Sequence, residues 1–211
     1  STQSRSSAAS DVYKRQERDR ITQYLQNRGY YRFNKDFITF QADTMLNTRK
    51  VDLIMQLHPY RRKKEDAPSP HRQYYIRNVD FVFDADFADL SADALRGLDS
   101  LQAGGVNFYF VDKMFLRPQV ISDYNYLKKG RLYRVRDVQN TYSALGRLNI
   151  LKYSNIRFQE ELKADSAYLD AYVMLTRNKN KSLSFEIEGT NSAGDLGAAA
   201  SVAYTHRNLF K

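Results

Sequence analysis

The sequence predicts an α+β fold made of two related units, followed by one antiparallel hairpin. Three observations predict it. The chain aligns with itself at a fixed shift, and in both copies apolar residues recur at helical spacing ahead of strand-like alternation. Residues 182–210 then alternate between apolar and polar or very small residues around a turn rich in Asn, Ser, Gly and Asp. The length of 211 residues is enough for one large or two small domains.

The internal repeat aligns residues 18–58 with residues 136–176 without a gap. Similarity at a fixed period indicates a duplicated structural unit. The identical pairs are Arg18/Arg136, Asp19/Asp137, Tyr24/Tyr142, Ile38/Ile156, Phe40/Phe158, Gln41/Gln159, Asp52/Asp170 and Leu57/Leu175.

The first copy reads as a helix followed by two strands. Ile21, Tyr24 and Leu25 have helical spacing, and Gly29 is placed to end that helix. Residues 37–41 and 50–58 each place alternate apolar residues on one face, which predicts a hairpin.

The second copy repeats this order and has more chain ahead of it. Residues 74–84 predict a strand, 85–112 an irregular insertion, and a short helix begins at Pro118, a favoured first-turn residue. The predicted order is therefore strand, helix, helix, strand, strand, with both helices on one face of the sheet. The predicted apolar stripes are Val135, Val138, Tyr142 and Leu145 on the second helix, and Ile156, Phe158, Leu169, Ala171, Val173 and Leu175 on the last two strands.

Residues 1–16 differ from the rest of the chain. STQSRSSAAS is polar, rich in small residues and aperiodic, which predicts disorder. DVYKRQ (11–16) is the translation, in one frame, of the mosaic-end tag used in transposase-based sequencing libraries. We therefore interpret residues 1–16 as a sequencing-tag artefact on a gene fragment; the alternative is an ordinary charged start to a helix.

The net charge is +9, from 33 Lys and Arg against 24 Asp and Glu, which favours an anionic partner. The basic residues are mostly dispersed, and the one dense cluster is Arg61–Lys64. Three prolines occur in or beside the same segment, so residues 60–72 are predicted to form a solvated linker or a long hairpin loop rather than a nucleic-acid patch.

The residues that catalysis requires do not occur in recognisable arrangements. The three histidines have no metal-type spacing, cysteine is absent, and no nucleophile elbow or phosphate-binding loop is present. The acidic run Asp80, Asp84, Asp86 and Asp89 lacks the glycine and glutamate of a calcium loop and is interpreted as a solvated turn. The sequence therefore predicts a protein that is not an enzyme, with no catalytic residue, no metal site and no cofactor.

Three stretches carry a resemblance to a known family. YYIRNVDF (74–81) resembles its opening strand, and LKKGRLYRVRDVQNTYSALGRL (127–148) resembles its helix–glycine–helix core. LSFEIEGTNSAGDLGAAASVAYTHRNLF (183–210) is similar to the start of its barrel. The family is that of polypeptide-transport-associated (POTRA) domains preceding an outer-membrane β-barrel, as in the Bam/Tam-type assembly factors of Gram-negative bacteria.

The resemblance implies tandem POTRA-like β-α-α-β-β domains, the first one truncated, followed by the first antiparallel hairpin of a transmembrane β-barrel. The implied divisions are an incomplete repeat at 17–59, a basic linker at 60–72, a complete repeat at 73–178 with its insertion at 85–112, and two barrel strands at 179–211. It places the protein in the outer membrane, with residues 17–178 in the periplasm. The implied partners are unfolded outer-membrane proteins, outer-membrane lipid and lipoproteins of the assembly complex, with no nucleic acid.

Two sets of site residues follow. An extended client is expected to add a strand to an exposed sheet edge, because backbone pairing is largely blind to sequence. The predicted client-pairing residues are Phe37, Ile38, Thr39, Phe40, Gln41, Ile156, Arg157, Phe158 and Gln159. Membrane strands need one apolar face and must close into a barrel. The predicted lipid-facing residues are Phe185, Ile187, Leu196, Ala198, Ala200, Val202 and Tyr204.

Three alternatives stay open on the sequence. The same repeat-plus-barrel module also anchors hydrolases that resemble patatin-like phospholipases, which an upstream G-x-S-x-G motif would reveal. A soluble basic protein that binds anions or nucleic acid would instead show a clustered positive surface. Finally, the hairpin 183–205 has a soluble alternative, in which it caps a periplasmic sheet.

Overall fold

The part of the chain that the structure describes has a mixed α+β fold, with one five-stranded sheet and two separate two-stranded sheets. A computed structural model describes residues 2–43, 52–62, 65–84, 95–111, 113–163, 166–178, 181–192 and 195–206. Its helices are α1 (Thr2–Gln26), α2 (Pro118–Tyr124) and α3 (Val135–Leu145), with a 3-10 turn at Lys35–Phe37. Its strands are β1 (Ile38–Asp43), β2 (Asp52–Leu57), β3 (Tyr74–Phe83), β4 (Asp99–Ala103), β5 (Val106–Phe110), β6 (Leu151–Leu162), β7 (Ala167–Arg177), β8 (Lys181–Ser192) and β9 (Asp195–His206).

The first helix is longer than the sequence predicts. The periodic residues around Ile21 are helical as expected, but α1 already begins at Thr2, so residues 2–16 are helical rather than disordered. The composition permits this, because seven of residues 2–16 are alanine, lysine, arginine or glutamine, which propagate a helix at low cost, and this stretch contains no proline or glycine. The helix ends at Gln26, and Gly29 follows it in the left-handed conformation with φ of 94°, as predicted for a C-terminal stop.

The first hairpin pairs β1 with β2 in antiparallel fashion, with Ile38 opposite Leu57. Ile38 is buried, but the apolar side chains of β2 are about half exposed: Leu53 48%, Ile54 50%, Met55 49% and Leu57 57%. The predicted apolar face of β2 is therefore largely uncovered within the described residues.

The five-stranded sheet has the order β4-β5-β3-β7-β6. Strand β3 is parallel to both β5 and β7, whereas β6 is antiparallel to β7 and lies at one edge. With α2 and α3 between β3 and β6 in the chain, the predicted order of strand, helix, helix, strand, strand is confirmed.

The insertion at 85–112 contains regular structure that the sequence interpretation missed. Strands β4 and β5 form a hairpin that extends the sheet beyond β3. Gly104 and Gly105 form the two-residue turn between them, with φ of 59° and 76°. A tight turn whose twist matches that of the sheet requires positive φ at both positions. A Gly-Gly pair between two alternating segments was the signal for this hairpin.

The core lies between the helices and one face of this sheet. Strand β7 is buried along most of its length, and Phe81, Leu145 and Leu169 are fully buried within the same cluster. Thr141 connects α3 to the segment that follows α2, because its hydroxyl donates to the Asp137 carbonyl at 2.8 Å and accepts the Tyr126 N–H at 3.1 Å. Ile156 of β6 belongs to the same buried cluster, and Leu151 and Phe158 pack against it, so the core lies behind β6 on this face.

The opposite face of the sheet carries a polar cluster formed around a β-bulge at Arg77. The guanidinium of Arg77 makes a two-pronged hydrogen bond to Asp170, which is 6% exposed, and an ion pair with Glu161. Beside it, Asp80 is also 6% exposed and accepts a hydrogen bond from Asn107 at 2.7 Å. The interpretation of the acidic run as a solvated turn is therefore wrong for Asp80.

Replacing this carboxyl is expected to stabilise the protein at neutral pH. Burial raises the pKa of Asp80, with the hydrogen bond from Asn107 acting in the opposite direction. The folded state thus binds this proton more tightly than the unfolded state does. Its contribution to stability is present below the unfolded pKa of about 3.9 and is lost as pH rises through the folded pKa. For Asp80→Asn we expect a melting temperature about 2–4 °C higher at pH 7, the shift that roughly 1 kcal/mol produces in a chain of this size.

Near pH 3 the Asp80→Asn variant and the wild type should have the same melting temperature, because the side chain at position 80 is then neutral in both proteins. Asp84→Asn is the matched control, because Asp84 is paired with Arg177 at 2.8 Å and gains nothing from neutralisation. A lower melting temperature of Asp80→Asn at pH 7, measured by circular dichroism, would contradict this account.

The last two strands form a separate antiparallel sheet. The register places Phe185 opposite Val202 and Ile187 opposite Ala200. The alternation that the sequence shows in residues 182–206 therefore does correspond to a paired hairpin.

Candidate functional site

The free edge of β6 is the first element of the candidate site. In an antiparallel pair, residues alternate between directing their backbone groups at the partner strand and away from it. The Lys163 N–H donates to the Ser166 carbonyl at 2.8 Å, so odd-numbered residues of β6 after the bulge near Lys152 pair with β7. The outward set is therefore Ser154, Ile156, Phe158, Glu160 and Leu162.

The hydroxyl of Tyr142, on α3, covers this edge at one position. It accepts the N–H of Ile156 at 2.7 Å and donates to Asn155 Oδ1 at 3.3 Å. The side chain reaches the strand edge from the helix and is about a third exposed. Its hydroxyl therefore occupies a backbone donor that an added strand would use.

The corresponding edge of β1 is arranged differently. The N–H of Ile38 donates to the Lys35 carbonyl, so the 3-10 turn satisfies it. Tyr24, the repeat counterpart of Tyr142, instead lies against the guanidinium of Arg28, 3.9 Å from its ring centroid. Tyrosine at the same repeat position thus caps the edge in the second unit only.

A cleft of about 510 Å³ lies at the C-terminal end of β6. Its walls come from three residues that follow α1, from six residues of the segment before β3, and from the C-terminal end of β6 with Lys163 after it. The lining residues are Tyr30, Arg32, Phe33, Tyr60, Arg62, Ser69, Pro70, His71, Arg72, Tyr74, Glu160, Leu162 and Lys163. We call it the basic cleft, because four lining side chains carry positive charge and one carries negative charge. The charged residues are Arg32, Arg62, Arg72, Lys163 and Glu160.

Hydrogen bonds and ring contacts fix the inner surface of the basic cleft. Arg32 forms an ion pair with Glu160, and the Tyr74 hydroxyl donates to the same carboxylate at 3.0 Å. Burial, together with this carboxylate, raises the pKa of Tyr74 to about 12, so its hydroxyl stays protonated as a donor. His71 packs against Phe33, with 5.0 Å between the ring centroids, and makes the inner surface aromatic.

The predicted pairing residues divide into two groups in this structure. Ile156 and Phe158 direct their backbone groups outward, whereas Arg157 and Gln159 pair with β7. On β1 the same alternation holds, because the His58 N–H donates to the Phe37 carbonyl at 2.8 Å. This directs the backbone groups of Phe37, Thr39 and Gln41 at β2, and those of Ile38 and Phe40 outward.

Two parts of the candidate site were not predicted. Tyr142 is not a core residue of the α3 stripe, although Val135, Val138 and Leu145 do contact the core. The predicted linker also contributes to this site, because Tyr60, Arg62 and residues 69–72 line the basic cleft. The side chains of the predicted lipid-facing residues are not among those that the structure describes, so their contact with lipid stays a prediction.

Among the described residues, no helix is both long and apolar enough to cross a membrane. The same part of the chain contains no cluster of three or more His, Asp or Glu side chains arranged to hold a metal ion.

Of the known proteins compared with this chain, only solved structures match it. No protein-family model and no curated protein matches the chain. The chain is similar to the crystal structure of POTRA domains 3–5 of BamA from Haemophilus influenzae, with 12% sequence identity, over 77% of this chain and 79% of that chain. The TM-score of this match is 0.27.

Proposed function

We propose that this chain comprises the periplasmic POTRA region and the first barrel strands of an outer-membrane protein assembly and insertion factor. It receives unfolded outer-membrane proteins by β-strand augmentation. The observation that carries the proposal is the outer edge of β6, where Phe158, Glu160 and Leu162 direct backbone groups away from β7. An added strand pairs through such groups whatever its side chains are, which suits a receiver of many clients.

Two further features support β6 rather than β4 at the other edge of the sheet. Ile156 is buried and Phe158 packs against the core, so this edge is held rigid. Along β4, by contrast, four of the five residues are exposed. A rigid edge loses less conformational entropy when it binds an extended segment.

Peptides with methylated backbones test the pairing. A ten-residue peptide of alternating threonine and valine is prepared with N-methyl groups on all threonines or on all valines. Because an added strand uses the N–H groups of alternate residues, one form should lose at least tenfold in affinity and the other should bind nearly as well as the unmethylated peptide. Binding to the full chain is measured by fluorescence anisotropy. If the two forms bind alike, edge pairing is not the mode of binding.

Removing the Tyr142 hydroxyl is expected to strengthen client binding. In Tyr142→Phe the Ile156 N–H is bonded only to water and is free to pair with the client. One additional hydrogen bond contributes about 0.5–1.5 kcal/mol, so we expect the dissociation constant of the unmethylated peptide to fall about 2- to 10-fold.

The matched control for this prediction is Tyr24→Phe, which makes the same change at the equivalent repeat position without exposing an edge donor. Its peptide affinity should equal that of the wild type. Unchanged affinity in Tyr142→Phe, with the fold intact by circular dichroism, would show that the client does not reach Ile156.

The membrane part of the proposal rests on the alternation and pairing of β8 and β9. Two strands cannot close a barrel, so further strands must follow if this hairpin lies in lipid. Long-read sequencing of the intact gene across the codon for Lys211 tests this. We expect an open frame encoding alternating segments of about ten residues. A native stop codon directly after Lys211 contradicts the barrel.

A further inference from the structure

The basic cleft adjoins the free edge of β6 directly. Glu160 and Leu162 line the cleft, and both belong to the outward set of that edge. A segment paired with β6 therefore runs into the cleft at the Leu162 end. Because antiparallel pairing is slightly more stable than parallel pairing, the amino-terminal part of the segment would lie there.

The charge of the cleft selects the chemistry of its ligand. Four cationic side chains face one carboxylate, and that carboxylate already binds Arg32 and Tyr74. Arg62 is exposed and has no ion pair among the described residues. Arg72 uses one donor on the Lys163 carbonyl, at 3.0 Å, and keeps the others. A guanidinium with free donors is suited to a carboxylate.

The aromatic rings on the inner surface of the basic cleft favour a ligand that carries a flat apolar group. Phe33 is buried, at 1% exposed, and the His71 ring, which lines the cleft, contacts both Phe33 and Phe37, at 5.0 and 4.7 Å between centroids. Tyr60 completes this aromatic surface, 6.3 Å from the His71 centroid. Aromatic rings favour further rings in offset or edge-to-face contact.

Resting on the proposed function, we propose that the basic cleft is a side-chain subsite for the client strand. It binds a segment that carries an acidic and an aromatic residue two positions apart. In an extended chain, residues at i and i+2 project to the same side, so both side chains enter the cleft together. The acid contacts Arg62 and Arg72, and the aromatic ring packs on the surface around His71.

Three acetylated ten-residue peptides, each with a neutral fluorophore at the carboxyl end, test this subsite against the full chain. The first has aspartate and phenylalanine two positions apart near its amino terminus, within alternating threonine and valine. The second has asparagine for aspartate. The third has the aspartate and phenylalanine adjacent, so that they project to opposite sides. Anisotropy should show binding to the first about two- to fivefold tighter than to the others, the advantage of a partly exposed ion pair.

Two protein variants test whether the aspartate of the first peptide contacts Arg62. Arg62→Gln should remove most of the advantage of the aspartate peptide and leave the asparagine peptide unchanged. Arg136→Gln removes the same charge from an exposed position on α3 outside the cleft, and should change neither. Added salt should reduce the advantage as well.

The other outcomes separate the two proposals. If all three peptides bind equally, the cleft proposal is wrong and edge pairing stands. If none of them binds, the proposed function itself is wrong. If Arg62→Gln instead weakens binding to vesicles containing anionic phospholipid while the peptides are unaffected, the cleft is a headgroup site and the client subsite is overturned.

Discussion

Gly29→Ala is expected to destabilise the protein by about 2–4 kcal/mol. Gly29 has φ of 94°, and the left-handed backbone costs an L-residue about 1–2 kcal/mol. An added Cβ would also lie 2.6 Å from Leu132 Cδ1 and 2.8 Å from its Cγ, so this side chain must move, at a cost of about 1–3 kcal/mol. The position matters because the Gly29 carbonyl accepts the Tyr74 N–H at 2.8 Å and so connects the first unit to β3.

Gly130→Ala isolates the backbone cost for this prediction. Gly130 has φ of 79°, but among the described residues no heavy atom beyond its two chain neighbours lies within 4 Å of the Cβ that alanine would add. Urea denaturation should therefore show a loss of about 1–2 kcal/mol for Gly130→Ala and a clearly larger one for Gly29→Ala. In the double variant Gly29→Ala/Leu132→Ala the two changes should be less than additive, because the second relieves the contact. Equal losses for the two glycines would contradict the close approach.

Arg77→Ala is expected to cost about 2–4 kcal/mol. It leaves the buried Asp170 carboxylate with Asn78 as its remaining side-chain donor, at 3.1 Å. Breaking a buried ion pair from one side costs about 3–5 kcal/mol, and we take a lower range because the Arg77 side chain is 37% exposed. The free energy of unfolding in urea is the measurement.

Two further variants test whether the loss of stability in Arg77→Ala comes from its contact with Asp170. Arg77→Lys keeps the charge but loses the two-pronged geometry, so its loss should be intermediate. Arg20→Ala removes another arginine with a two-pronged carboxylate contact, to Glu17 on the exposed surface of α1, and should change stability little. A loss in Arg77→Ala no larger than that in Arg20→Ala would show that Asp170 does not depend on its partner.

Periodicity predicted the main elements well where one face of a strand or helix is buried. In β3, for example, the buried residues change phase between Ile76 and Val79, and the structure shows the bulge at Arg77 that this change of phase requires. The repeat aligns Ile38 with Ile156, and in the structure the backbone groups of both residues are directed away from the partner strand. Its ungapped alignment implies that Ile156 lies opposite Leu175, whereas the structure pairs it with Val173. A shift of two residues keeps every side chain on its face, so the pattern cannot distinguish these registers.

The site was less predictable because it depends on contacts between elements. Tyr142 has the spacing of a core residue, and only the position of α3 relative to β6 makes its hydroxyl an edge cap. The basic cleft likewise brings Arg32, Arg62 and Lys163 together from three distant segments. No local pattern encodes that proximity, and the prolines around the cluster at residues 61–64 indicated only a loop.

The central claim is that a client strand pairs with the outer edge of β6. Residue-resolved amide hydrogen exchange, measured by NMR on the full chain with and without a saturating client peptide, tests it most directly. The amides of Arg157 and Gln159 pair with β7 and are expected to be protected in both samples. The account predicts new protection at Phe158, Glu160 and Leu162 when the peptide is bound. Unchanged exchange at these three amides, or protection appearing along β4 instead, would contradict it.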